Sequence, residues 1–271
     1  MRLPCKAEAM GKLTRSAALC AAFILASAGG CAPVEPPNGA APTASQDWRF
    51  DNLERIGGAP ARAEGDPQIV ATPLGKAVLF DGVDDALFVA AHPLAGAEQF
   101  TAEAIFRPHG GAFEQRWLHL ADAAGAPADA DPPVPPSGPR MLFEIRVVGD
   151  RWYLDTFVTG PGYNQTLIVP EKTFPVGRWY HVAQTYDGTT YRSYVDGELQ
   201  AEAPIAFQPQ GPGHSSVGTR INRRDYFNGE VLAARFTPAA LPPQRFMRLP
   251  AAAGAQPNAD RNARRQGEGT P

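Results

Sequence analysis

Cysteine is almost absent from this sequence. The chain has 271 residues and three cysteines, Cys5, Cys20 and Cys31, so none follows residue 31. The rest of the chain therefore has no internal disulfide and no thiol chemistry. A domain of about 200 residues can bury enough apolar surface to fold without such crosslinks.

Several motifs for metal binding and catalysis are missing as well. No H-x-H, H-E-x-x-H or C-x-x-C spacing occurs, which argues against a zinc site. No G-x-S-x-G elbow and no P-loop occur either. The whole chain carries a net charge of −3 and its first 30 residues +3, which leaves −6 for the rest. A mildly acidic protein has no general attraction for nucleic acid, so we expect no nucleic-acid partner.

The N-terminus has the features of an export signal. Four basic residues lie within residues 1–15, and residues 16–28 form an apolar run too short to span a bilayer as a mature helix. This pattern predicts a signal peptide over residues 1–30. Two endings are compatible with it: cleavage after Ala28 in a small-x-small site, or a lipobox at Ala28-Gly29-Gly30-Cys31 that lipidates the cysteine.

The lipobox is the interpretation we favour, because Cys31 directly follows a pair of small residues at the end of the apolar run. It predicts an exported envelope lipoprotein, in the outer membrane if the cell is Gram-negative; the alternative is a periplasmic or secreted protein. Acyl chains on Cys31 would hold it to the membrane at ~0.8 kcal/mol per buried CH₂. Residues 31–46 are rich in Pro and Ala and predict a flexible tether, and residues 250–271 predict a disordered tail.

Two Asp-Gly pairs organise the segment 177–200. Asp187-Gly188 and Asp196-Gly197 lie between runs rich in Tyr, Val and Thr. Asp-Gly suits a two-residue type I′ turn, and aromatic and β-branched residues suit strands. The segment therefore predicts an antiparallel meander of three strands, at 178–186, 190–195 and 198–203.

Alternating apolar residues predict strands in the rest of the domain as well. A Pro- and Ala-rich segment over residues 121–138 predicts a loop or insertion between them. Together these runs predict an all-β, two-sheet antiparallel sandwich over residues 47–249. The predicted strands outside the meander are two short runs at 48–53 and 68–73, and longer ones at 76–80, 86–90, 100–108, 114–120, 140–147, 151–158, 166–170, 215–218 and 227–236.

Four segments carry a family resemblance: AVLFDGVDDALFV, FTAEAIFRP, GRWYHVAQTYDGTTYRSYVDGEL and SVGTRINRRDYFNGEVLAARF. With them, residues 76–240 resemble the laminin G-like, concanavalin A-like jelly-roll family. The resemblance implies two packed antiparallel sheets, one of them concave. It also implies a module that binds glycans or proteins, with a calcium ion at the rim in many members. The wider fold group includes glycan hydrolases and lyases, so fold alone does not decide between binding and catalysis.

The sequence departs from two patterns of this fold group. The family often places two acids three and four residues after the glycine that corresponds to Gly229, and here Leu232 and Ala233 stand in the acidic positions. The β-glucanase motif Glu-x-Asp-x-x-Glu has its nearest match at Glu144, with Arg146 in place of Asp and Gly149 in place of the last Glu. Without a pair of carboxylates, ordinary glycoside hydrolysis is poorly supported.

Polar and aromatic side chains at alternating strand positions predict a ligand face on the concave sheet. Aromatic rings stack on sugars, while Arg, Glu and Asn can bond their hydroxyl groups. The alternative is an ordinary solvated sheet face, and a register error of one residue would reverse each assignment. The candidate ligand residues are the strand pairs Trp117 with His119, Glu144 with Arg146 and Tyr153 with Asp155, and the loop residues Tyr163, Asn164, Gln165, Asn222, Arg223 and Tyr226.

The function that we predict is non-catalytic binding of an extracellular glycan or a surface protein. A polysaccharide lyase is an alternative, with Arg146 neutralising a uronate carboxylate and His119 or Tyr153 abstracting the adjacent proton. A structural or adhesive surface protein is another. The acidic turn at Asp81, Asp84 and Asp85 is a candidate calcium site, although Asp and Gly also form such turns without a metal.

Overall fold

The computed structural model describes residues 44–250. The predicted signal peptide, Cys31, most of the tether and the tail lie outside the described residues. Within residues 44–250, no helix is long and apolar enough to cross a membrane. The helical content of this region is a single 3₁₀ turn at Pro243–Arg245.

Strands make up the regular structure of the described region. In chain order they are β1 (Gln46–Arg49), β2 (Arg55–Ile56), β3 (Ala59–Glu64), β4 (Gln68–Thr72), β5 (Gly75–Asp81), β6 (Ala86–Val89), β7 (Phe100–Pro108), β8 (Glu114–Asp122), β9 (Arg140–Val148), β10 (Arg151–Gly160), β11 (Tyr163–Ile168), β12 (Phe174–Pro175), β13 (Tyr180–Tyr186), β14 (Thr190–Val195), β15 (Glu198–Pro204), β16 (Gly213–Val217) and β17 (Asn228–Thr237).

The strands form two antiparallel sheets. The first sheet has the order β15-β14-β13-β7-β17-β5-β4, with β1 also paired to β17. The second has the order β11-β10-β9-β8-β16-β6-β3-β2, with β12 also paired to β10. Each sheet combines hairpins of consecutive strands with neighbours from distant parts of the chain, such as β17 between β7 and β5, as in a jelly roll. The predicted all-β sandwich is confirmed.

An aromatic core joins the two sheets. Phe106 of the first sheet stacks on Trp117 of the second at 5.8 Å between ring centroids, and it meets Trp152 edge-on at 5.4 Å. Trp117 in turn contacts Phe143 at 5.4 Å. All four rings are buried. Such pairs contribute about 0.5–1.5 kcal/mol each beyond the area they bury.

The predicted meander is present as β13, β14 and β15, but one of its turns differs from the prediction. Asp196 and Gly197 have φ of 50° and 82°, as a type I′ turn requires. The type I′ prediction is wrong for the other turn, a three-residue loop in which only Gly188 has positive φ. There the Asp187 carboxylate accepts the N–H groups of Thr189 and Thr190, so the side chain closes the turn.

A β-bulge in β8 changes which face its residues occupy. Arg116 pairs with Glu144 and Leu118 with Phe143, so Trp117 is an extra residue between them. Trp117 and Leu118 both enter the core, and His119 returns to the outer face. The prediction that Trp117 and His119 share a face is therefore wrong.

The outer face of the first sheet is covered by the end of the described chain. Phe246 packs on His181 and Tyr194 at 5.4 and 5.2 Å between ring centroids. Glu103, buried on the same face, accepts hydrogen bonds from Met247 N–H at 2.6 Å and from Arg235 at 2.7 Å. The second sheet has no equivalent cover over its outer face at β9 to β11 within residues 44–250, and this is where the candidate site lies.

Candidate functional site

Strand register gathers the predicted polar residues on one surface. Asp155 lies directly opposite Glu144, and Tyr153 opposite Arg146, so all four share the outer face of the second sheet. We call this surface the open face: the outward side chains of β8 to β11 with the loop 218–227. The prediction that these four residues share a face is confirmed.

Three predicted ligand residues point into the protein. Trp117 is in the core through the bulge, and Tyr163 packs at 5.2 Å from Phe207, also in the core. Residues 163–165 form the start of β11 and not a loop, so alternation turns Tyr163 and Gln165 inward and Asn164 outward. Neither Trp117 nor Tyr163 has a ring face for a ligand to stack on.

Ion pairs connect the strands of the open face. Arg146 bonds Asp155 at 2.6 Å and lies 3.5 Å from Glu144, while Arg116 pairs with Glu144 and with Asp225 of the loop 218–227. Glu144 and Asp155 are 2% and 1% exposed. Buried charges are tolerated only when paired in this way, so the network fixes the geometry of the face.

Burial raises the pKa of both carboxyl groups, Glu144 and Asp155, above their ordinary values. For Glu144, Arg116 opposes this effect and repulsion from Asp155 adds to it. Carboxyl groups whose pKa is shifted by burial and by a charged neighbour are common at functional sites, and structural ion-pair networks shift pKa values as well. The two groups lie in a groove, which favours the functional reading.

The groove of the open face, which we call the charged groove, has a volume of about 230 Å³. Besides the ion pairs above, it is lined by Arg140, Arg220 and Phe157. A second cavity of about 170 Å³, the loop pocket, lies between the insertion and the loop 218–227. Arg140 and Arg220 line both cavities, so the two adjoin on the open face, and we call them together the recess.

Sequence reasoning missed several of these lining residues. Phe157 alternates with Asp155 and Tyr153, so the same period-two pattern could have identified it. Arg140 stacks on the Phe157 ring at 5.3 Å and begins a strand whose outward positions were already recognised. Simple alternation in β8 places Arg116 on the face opposite to His119, whereas the bulge puts both on the outer face. Arg220 lies in a loop, and only the fold of that loop brings it to the groove.

His119 contributes an unpartnered donor to the loop pocket. Its Nδ1 accepts the Ile221 N–H at 3.0 Å, so the neutral ring carries its proton on Nε2. That Nε2 has no hydrogen-bond partner, although the side chain is 2% exposed and lines the pocket. Burial, with Arg220 and Arg140 nearby, holds the pKa of His119 well below its ordinary value, so the ring is neutral.

The loop 218–227 is held by one of the predicted ligand residues. Arg223 donates to both oxygens of Glu64 at 2.7 Å and to the carbonyl of Asp131, and it stacks on Phe88 at 4.7 Å. It therefore acts as a brace between β3, the insertion and this loop. Tyr226 packs beside Phe88, while Asn222 is exposed at the loop pocket.

The two alternative bases proposed for a lyase lie at different distances from Arg146. His119 pairs in register with Leu142, and Tyr153 with Arg146, four residues further along β9. Two strand spacings also separate them, so His119 and Tyr153 are about 17 Å apart. His119 also uses its lone pair on Ile221 N–H and cannot serve as a base in that state. His119 is therefore the weaker of the two proposed bases, whereas Tyr153 lies directly opposite Arg146 and stays the other alternative.

The acidic turn brings Asp81, Asp84 and Asp85 together, with ligand oxygens within 4.8 Å of one another. Both Asp85 oxygens, however, accept backbone N–H groups, at 2.6 and 3.0 Å, and Asp81 Oδ1 accepts the N–H of Val83 at 2.8 Å. Calcium needs six to eight free oxygens. Because N–H groups already occupy these ones, the residues fit a self-bonded turn better than a calcium site.

In β17, the two positions where the family pattern has acids are buried, and Leu232 and Ala233 occupy them. Leu232 is the extra residue of a second bulge, between Val231 and Ala233, and packs with Ala77 and Ile105. An acid there would lose its hydration. The strand keeps one acid, Glu230, which is paired to Arg107 and to His109.

Comparison with known proteins agrees with this architecture. Residues 81–245 match the family model described as the concanavalin A-like lectin/glucanases superfamily, and the chain belongs to that superfamily. Among solved structures, domain 4 of AbnA, a GH43 extracellular arabinanase from Geobacillus stearothermophilus in complex with arabinotriose, is similar. The identity is 14% and the TM-score 0.54, over 74% of this chain and 94% of that one.

The binding domain of Paraclostridial Mosquitocidal Protein 1 is also similar, with 10% identity and a TM-score of 0.50. The similarity covers 74% of this chain and 50% of that one. At such identities both likenesses concern the fold alone. No curated protein matches the sequence.

Proposed function

We propose that this protein is a non-catalytic glycan-binding module whose ligand lies in the recess of the open face. The observation that carries the proposal is the adjoining groove and pocket, lined by arginines, carboxylates and an aromatic ring at the uncovered side of the second sheet. A binding role also accords with the similar domain of the arabinanase, which was solved with arabinotriose.

The chemistry of the recess suits a sugar chain. Phe157 is partly exposed there and offers an apolar surface, as does Phe113, which is 53% exposed and lies 5.7 Å below the Arg146 guanidinium. Arginine and carboxylate groups can donate to and accept from hydroxyl groups. Because the ion pairs hold these groups in place, little side-chain freedom is lost when a ligand binds.

A glycan array on the purified full-length protein tests this proposal, followed by titration calorimetry with the sugars that bind. We expect binding that weakens about tenfold in Phe157→Ala, since stacking contributes about 1–3 kcal/mol. Phe113→Ala probes the far end of the same face, and Ile69→Ala, an exposed residue of the first sheet, is the matched control. Binding unaffected by Phe157→Ala, or no glycan bound at all, contradicts the proposal.

We further propose that the protein is exported and anchored to the bacterial envelope through a lipid on Cys31. The basic start, the short apolar run and the small residues before Cys31 support this. Membrane fractionation of cells that express Cys31→Ser tests it. The variant should move from the membrane fraction to the soluble exported fraction, and retention in the membrane counts against the anchor.

A further inference from the structure

We infer that the loop pocket is an anion subsite, in which Arg140, Arg220 and His119 bind the carboxylate or sulfate group of an acidic sugar. This inference rests on the proposed glycan-binding function and specifies its ligand class. The sugar chain attached to that group would continue along the charged groove toward Arg146.

The first observation is a pair of arginines without acidic partners. Across residues 44–250, no carboxylate lies within ion-pairing distance of Arg140 or Arg220, unlike the other arginines of the face. Arg140 donates to the Gly138 carbonyl at 2.9 Å, but its Nε has no partner and is buried. A guanidinium has five N–H groups in a planar fork that matches carboxylate and sulfate oxygens.

The second observation is independent of the arginines. His119 is 2% exposed, and its Nε2–H has no partner in the described part of the protein. A buried donor left unpaired costs about 1–3 kcal/mol, and such groups in native proteins call for an explanation. An oxygen in the loop pocket, which His119 lines, would satisfy this donor.

The acidic groups nearby are already neutralised. Asp131 also lines the pocket but is paired with Arg62 and Arg223, at 3.1 and 3.2 Å. Glu144 and Asp155 line the groove and not the pocket, and Arg116 and Arg146 bind them. The recess therefore has one end where acids and arginines form ion pairs, although Arg146 Nη1 and Asp155 Oδ1 lack hydrogen bonds. At its other end, the two arginines have no acidic partner within residues 44–250.

This asymmetry predicts an oriented ligand. An acidic substituent fits the donor-rich pocket, where the two guanidinium groups repel one another until an anion lies between them. Burial lowers the pKa of Arg140, and repulsion from Arg220 lowers it further. Neutral hydroxyl groups fit the other end, where donors and acceptors alternate along β9 and β10.

Titration calorimetry with the full-length protein and matched sugar pairs tests the inference. One arm compares trigalacturonate with its methyl ester, and the other compares a sulfated chondroitin oligosaccharide with its unsulfated form. We expect the charged member of at least one pair to bind about tenfold tighter, as charge-assisted hydrogen bonds predict. The arm that responds identifies the anion as carboxylate or sulfate.

Three variants and a control locate the effect. Arg140→Met and Arg220→Met should each remove the preference for the charged sugar, while Arg49→Met, an exposed arginine on the first sheet, should not. His119→Asn keeps an acceptor for Ile221 N–H, and its shorter amide NH₂ does not reach the position of the Nε2–H donor, so it should reduce the preference with the fold retained. Thermal melts of each variant confirm folding.

The outcomes separate this inference from the proposed function. Equal affinity for charged and neutral members, or a preference that survives both arginine variants, overturns the anion subsite. If a neutral glycan from the array binds under those conditions, the glycan-binding function stands without it. If no sugar of either kind binds, both proposals are wrong.

Discussion

The backbone amide of Ile221 donates a 3.0 Å hydrogen bond to Nδ1 of His119, and this contact decides which ring nitrogen carries the proton. Because Nδ1 accepts, the proton lies on Nε2 and the ring is neutral. The contact also fixes the loop 218–227 against β8. A side chain of the sheet and a backbone group of the loop thus define the site together.

The depressed pKa of His119 predicts a loss of stability in mild acid. The folded protein keeps the ring neutral, whereas the unfolded chain takes up a proton below about pH 6.5. The free energy of unfolding should therefore fall as the pH drops from 6.5 toward about 5. In His119→Asn the fall should be shallower by up to ~1.4 kcal/mol per pH unit, measured by urea unfolding.

A comparison at about pH 8 supplies the control for this experiment. There His119 is neutral in both the folded and the unfolded states, so the difference between variant and wild type reports packing alone. His92 is also buried with a lowered pKa, and its contribution is common to both proteins. An identical slope in both proteins between pH 5 and 6.5 would contradict the assignment.

Arg146 should be more important for stability than its position on a sheet surface suggests. Its 2.6 Å ion pair with Asp155 neutralises a carboxylate that is 1% exposed. Arg146→Met leaves that charge buried and unpaired, which should cost about 3–5 kcal/mol. The double variant Arg146→Met with Asp155→Asn should recover part of this loss, measured by chemical unfolding with Arg49→Met as control. A loss below about 1 kcal/mol would mean that water reaches Asp155.

The acidic turn should be stable without calcium. Asp81 accepts N–H groups of the turn, which outweigh the effect of burial and lower its pKa, while the exposed Asp84 has no such role. Asp81→Ala should therefore lower the melting temperature and Asp84→Ala should not, and a chelator should leave the midpoint unchanged. A midpoint that drops with chelator, and that Asp84→Ala also lowers, would indicate a calcium site.

Gly197 should be replaceable only at a cost in backbone strain. Its φ is 82°, and a Cβ added there meets no atom within 4 Å, so the penalty comes from conformation and not from contact. Gly197→Val should cost about 1–3 kcal/mol in thermal unfolding. Gly197→Asn should cost less, because Asn tolerates the left-handed region. Equal melting points for both variants would show that the turn can relax.

The proposed non-catalytic function predicts the absence of lyase activity through either candidate base, His119 or Tyr153. Incubation of the full-length protein with polygalacturonate should give no rise in the ultraviolet absorbance of unsaturated uronates. Heat-denatured protein provides the baseline. A rise that Tyr153→Phe or His119→Asn abolishes would revive the lyase alternative.

The sequence by itself determined the sandwich. Alternation of apolar residues and the pair Asp196-Gly197 act locally, since strand period and turn conformation depend on a few neighbouring residues. They predicted the all-β class, the meander and the shared face of Glu144, Arg146, Tyr153 and Asp155. The same local pattern could have identified Phe157.

Only the tertiary structure decided the site. The bulge at Trp117 shifts β8 by one residue, because both Trp117 and Leu118 fit the space between the sheets, and no local pattern marks that choice. It placed Trp117 in the core and Arg116 and His119 on the open face. Arg140 and Arg220 lie about 80 residues apart in the chain, and folding brings both to one pocket where neither has an acidic partner in the described part of the chain. Whether a charge has an opposite charge nearby depends on distances in the folded protein, and spacing along the sequence does not determine those distances.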